Sequence, residues 1–105
     1  MTIEQLDVVD FILVEPEGDM VLTVSDHLPW DDEKQHLLHL QEKLNAYVRF
    51  IQSGEIYEKW PEASGKPILI EVVLKHPVPD NSLWFFEKAT AAIMGAGYKF
   101  RVRAL

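Results

Sequence analysis

A chain of 105 residues with 48% apolar side chains has the size of one domain, 1–105, with one continuous core, and its net charge of −7 argues against binding nucleic acid, where lysines and arginines must displace counterions. No cysteine is present, which excludes disulfides, thiolate nucleophiles and thiolate metal sites and fits a reducing compartment. Glu4, Asp7 and Asp10 stand where a signal peptide would be basic, and no stretch approaches bilayer length, so a cytoplasmic protein without membrane contact is expected.

Val8 to Val14 and Met20 to Asp26 are β-type runs, and Pro16-Glu17-Gly18-Asp19 between them has the composition of a tight turn, which predicts a hairpin. In the second run Leu22 and Val24 fall on one face and Thr23 and Ser25 on the other, the alternation of a sheet with one wet side. Asp31 or Asp32 then offers an N-cap for a helix from about residue 32 to Ser53, with Glu33 in the first turn. Its apolar stripe is Leu37, Leu40, Leu44, Tyr47, Val48 and Ile51, and Ser53-Gly54 ends it.

Glu55 to Pro61 reads as a short turn-forming segment that folds Ile56, Tyr57 and Trp60 over the edge of the core. A strand follows with Ile68, Ile70, Val72 and Leu74 on one face and Glu71 and Lys75 on the other, ended by Pro77 and Pro79. Asn81 or Ser82 caps a second helix to about Met94, with Leu83, Phe86, Thr90 and Ile93 turned inward and Gly95 and Gly97 as its stop. The last run, Tyr98 to Leu105, points Tyr98, Phe100 and Val102 to the core and leaves Lys99, Arg101 and Arg103 as a basic row. The expected fold is therefore a two-layer α+β domain in the order ββαβαβ, a four-stranded mixed sheet with two helices on one face.

Charge is unevenly spread along this order. Residues 1–65 hold fourteen acids against four bases, and residues 66–105 hold three acids against six bases. Either the acids are solvated beside a sheet whose basic strand pairs with some of them, or they form a face that meets a basic partner.

Chemistry has few candidates. Asp32, His36 and His39 fall at i, i+4 and i+7 on one flank of the first helix, a carboxylate and two imidazoles of the kind that hold zinc or another divalent ion. A fourth ligand is missing, although Asp26 and His27 are close in sequence, and histidines on a helix flank are more often simply solvated. Gly65-Lys66 is not a phosphate loop, because Trp60 and Pro67 stand where a glycine and a serine or threonine are required. No serine has a nucleophile-elbow context and no two carboxylates face each other as an acid and base would, so no catalytic residue and no cofactor are expected.

The second helix carries a further stripe of Phe85, Ala89, Ala92 and Ala96, with Trp84 on another side. Apolar residues around so much of a helix call for cover from more than one direction. That cover is either the 55–61 segment or a protein: a different partner or a second copy, for which Trp84, Phe85, Ala89, Ala92 and Ala96 would be the contact residues.

Asp7-Val8-Val9-Asp10-Phe11, Ser25-Asp26-His27-Leu28 with Trp30-Asp31, Ser53-Gly54-Glu55-Ile56-Tyr57, and Pro61 before Gly65-Lys66 together resemble a family of small bacterial proteins known only as a domain of unknown function. The likeness spans nearly the whole chain and is one of overall pattern. It implies a bacterial, cytoplasmic, stand-alone domain and transfers no functional residue. The expected function is a non-enzymatic protein-interaction module of accessory or immunity type. The competing expectation is a small metal-dependent or ligand-binding enzyme centred on Asp32, His36 and His39.

Overall fold

A computed structural model describes residues 11–16 and 18–104. Residues 8–10 of the first expected strand, Glu17 of the expected turn and Leu105 lie outside them. Strands β1 (Phe11–Val14) and β2 (Met20–Asp26) form the antiparallel hairpin. Its turn is closed by the amides of Glu15 and Gly18, which donate to the carbonyls of Asp19 (2.9 Å) and Glu15 (2.8 Å), and Gly18 takes the positive φ of 98° that favours glycine.

Helix α1 (Glu33–Gln52) leads to the short helix α2 (Glu55–Lys59), then β3 (Ile68–Leu74), helix α3 (Leu83–Gly95) and β4 (Lys99–Ala104). Among the described residues the sheet has four strands in the order β1-β2-β3-β4, with β2, β3 and β4 parallel. Each parallel neighbour is reached through a helix, and both long helices cover the same face, as right-handed crossovers require.

Strand register explains the core. Ile12, Leu22, Ile70 and Phe100 stand in one row across the four strands, and Val24, Val72 and Val102 in the next. Onto these rows pack Leu40, Leu44, Tyr47 and Ile51 of α1, and Phe86 and Ile93 of α3, all buried. The Tyr47 hydroxyl crosses the layer to donate to the carbonyl of Thr23 at 2.8 Å, satisfying its one buried polar atom. At the other end Ser82 donates from its hydroxyl to Glu33 at 2.7 Å, which ties the start of α3 to the start of α1.

Three local expectations are corrected. The face opposite the helices is not wet in the central strands: Val21, Leu69 and Glu71 are buried there, because β2 and β3 are flanked on both sides and the long side chains of β4 lie across them. Leu83, expected to point inward, is 47% exposed, since α3 begins there and its buried stripe runs through Phe86 and Ile93. The 55–61 segment is a helical turn followed by a 3-10 turn at Pro61–Ala63; it buries Ile56 but leaves Tyr57 exposed, and Trp60 packs edge-on against Phe50 of α1.

The basic row of β4 is largely paired. Arg101 donates to Glu71 (2.6 Å) and Glu15 (2.9 Å), Arg103 lies 3.2 Å from Glu71, and Lys99 holds Asp19 at 3.0 Å. The hydrogen bond to Glu15 is the chief cause that raises the pKa of Arg101 above its ordinary value; burial opposes it and Glu71 adds to it. Two acids of the first half thus lie against the basic strand, and part of the lopsided charge cancels across the sheet.

Candidate functional site

The carboxyl end of β2 holds a buried, hydrogen-bonded polar cluster. Asp26 ends the strand, and its buried carboxylate accepts from the amide of Leu28 at 3.1 Å through Oδ1. Its Oδ2 lies 2.5 Å from Nε2 of His36, one turn into α1. The other ring nitrogen of His36, Nδ1, donates to the carbonyl of Pro29 at 3.2 Å. The imidazole is thus held at both ring nitrogens, by the Pro29 carbonyl on one side and the Asp26 carboxylate on the other. Trp30 stacks on the imidazole, with ring centres 3.6 Å apart and planes within 14°, and donates its own Nε1–H to the carbonyl of His76 at 3.2 Å.

Carboxyl ends of parallel strands are where open α/β sheets commonly bind ligands. Here Asp26 and His36 are 1% and 3% exposed beneath Trp30, so the cluster clips the 27–31 loop to α1 and to the segment after β3. It is a brace between elements.

The candidate metal ligands do not converge. Asp32 spends its carboxylate on the N-cap of α1, accepting from the amide of Gln35 at 3.1 Å. His36 faces Asp26 and Pro29. His39 accepts from the side-chain amide of Gln35 at 3.3 Å, and its Nδ1 is buried without a hydrogen-bond partner among the described residues. No group of three or more His, Asp or Glu side chains among the described residues is arranged to hold a metal ion. His36, read as a solvated flank residue or a ligand, is instead buried, because the strand that ends in Asp26 runs beneath the first turn of α1.

The second-helix stripe does come together with other residues. Trp84, Phe85, Ala89, Ala92 and Ala96 line one wall and the floor of a groove of about 450 Å³ between α3 and α1. Leu44 and Ile93 are buried at its base, Val48, Phe85 and Ala89 are half-buried, and Gln41, Asn45, Lys88, Ala92 and Ala96 form the exposed rim. The groove exists because the alanines are too short to reach α1, while Phe85 packs edge-on between Trp84 and Phe86, at 6.1 and 5.3 Å. Trp84 is 51% exposed with the ammonium of Lys88 5.5 Å from its ring centre. Among the described residues none of those lining the groove comes from 55–61, which packs against the far end of α1.

Gln41, Asn45 and Lys88 were not singled out from the sequence. The signal was present in part: residues 41, 45 and 48 recur at helical spacing beside Leu44, on the flank of α1 that would face a neighbouring helix.

Fold and groove together define a small α+β domain with an apolar channel between two parallel crossover helices. The chain belongs to a family described as "Family of unknown function (DUF6572)", whose profile covers residues 1–105. No curated protein and no solved structure matches it. No helix among the described residues is long and apolar enough to cross a membrane.

Proposed function

We propose that this chain is a non-enzymatic protein-interaction module, of accessory or immunity type, which seats an apolar helical face of a protein in the groove between α1 and α3. The observation that carries this reading is the open groove itself, with a half-exposed tryptophan on its wall and a single charged residue, Lys88, among those lining it. Exposed aromatic anchors beside a concave apolar floor are the usual ingredients of a helix-in-groove contact. The lack of cysteine supports a reducing compartment such as the cytoplasm as its setting. The metal-centred reading has less behind it, since Asp32 and His36 are already committed to a helix cap and to a buried pair.

A photo-cross-linking amino acid placed at Asn45 or Lys88 in living cells tests the reading. Discrete protein adducts are expected from both groove positions and not from Glu58, which is exposed on α2. Adducts no different from those at Glu58 would remove the groove as the contact surface.

A further inference from the structure

Resting on that reading, we infer that the occupant of the groove is a second copy of this chain, related by a two-fold axis that crosses α3 midway between Lys88 and Ala92, so that the two α3 helices run antiparallel.

Shape is the first argument. A two-fold contact opposes a surface to itself, so it closes only where one patch contains both a projection and the hollow that receives it. Helix α3 has both: Trp84, 51% exposed, projects at its first turn, whereas Ala92 and Gly95 leave the same flank of its last turn bare, the exposed Met94 lying on another side. Trp84 and Ala96 are separated by about 18 Å of helix at 1.5 Å per residue, so one straight element presents both ends at once. The antiparallel arrangement lays each tryptophan over the bare end of the other copy.

Charge is the second. The chain carries −7, and contact through its acidic half would set like charges against each other. Helix α3 carries only Glu87 and Lys88, which cancel, and the groove lining adds no acid. This surface can meet itself without that penalty.

Area is the third. Thirteen residues make about 20 Å of helix, and two helices side by side span roughly 20 Å, a footprint of about 400 Å² per copy before surface relief is added. That footprint is below the roughly 600 Å² per partner at the lower end of stable interfaces, so the contact is a weak one. Association in the micromolar range or weaker is expected.

Sedimentation equilibrium of the full chain, from low micromolar to millimolar concentration, tests this together with three variants at exposed positions. The wild type shifts from monomer to dimer. Ala92→Lys places an ammonium next to the second copy's Lys88 and weakens the dimer roughly tenfold or more, whereas Ala92→Glu places a carboxylate there and weakens it less. Glu58→Lys, away from the groove, leaves it unchanged. Thermal midpoints unaltered at a concentration where the wild type is monomeric show that all three variants fold.

A wild type that stays monomeric throughout, or a dimer indifferent to both Ala92 variants, overturns the inference. Equal weakening by the two would overturn the antiparallel placement. A monomer whose Lys88 position cross-links to a different protein overturns the second copy and leaves the docking groove standing. A monomer with no groove adduct removes both.

Discussion

His36 lies 2.5 Å from Asp26 through one ring nitrogen and 3.2 Å from the carbonyl of Pro29 through the other, so a single imidazole joins the end of β2, the loop behind it and the first turn of α1. Replacing one member of a buried hydrogen-bonded pair strands the other. His36→Leu is therefore expected to cost about 3–5 kcal/mol in urea unfolding. Asp26→Asn should cost far less, about 1 kcal/mol, because an amide can accept from Leu28 and donate to Nε2 while Nδ1 keeps its bond to Pro29. Equal costs for the two would show that the pair is not what holds this corner.

The buried face of α1 is checked by two leucines. Leu40 is fully buried and Leu38 is 45% exposed. Leu40→Ala should cost about 2–5 kcal/mol, and Leu38→Ala no more than about 0.5 kcal/mol. A reversed order would rotate the helix relative to the sheet.

Glu71 is buried on the sheet face away from the helices, hydrogen-bonded to Arg101 and ion-paired with Arg103. Removing both arginines as alanines leaves the carboxylate unpaired, at an expected cost of about 1–3 kcal/mol. Adding Glu71→Gln to that double variant should recover part of the loss, since the stranded charge is then gone. No recovery would mean that the arginines act through the packing of their stems.

For Asp32, His36 and His39 the expectation is indifference to metal. The thermal midpoint should be the same with a chelator and with added zinc. A rise with zinc that disappears in His36→Ala and His39→Ala would revive the metal-centred reading.

Element order was legible because it depends on near neighbours. The three- and four-residue spacing from Leu37 to Ile51, the cap at Asp32 and the glycines after Met94 each act within a few residues, and the elements form where those signals stand. Two strands each reached through a helix carried the topology as well, because the twist of the chain favours one hand of crossover. The stripe of Phe85, Ala89, Ala92 and Ala96 was likewise visible as an apolar surface in need of cover.

What faces that stripe was not visible, since covering by 55–61 and exposure to a partner give the same local pattern; among the described residues Trp60 packs on Phe50, at the far end of α1, and nothing of 55–61 lines the groove. The burial of Glu71 likewise depends on neighbours supplied by β4, thirty residues along the chain. His36 shows the limit most plainly. Its spacing to Asp32 and His39 along one helix suggested a shared site, whereas its partner is Asp26, which the fold brings under it from the end of another element. Periodicity records which side of a helix a residue occupies, and a side chain's partner is chosen through space, by whichever strand end or loop the tertiary structure sets against that side.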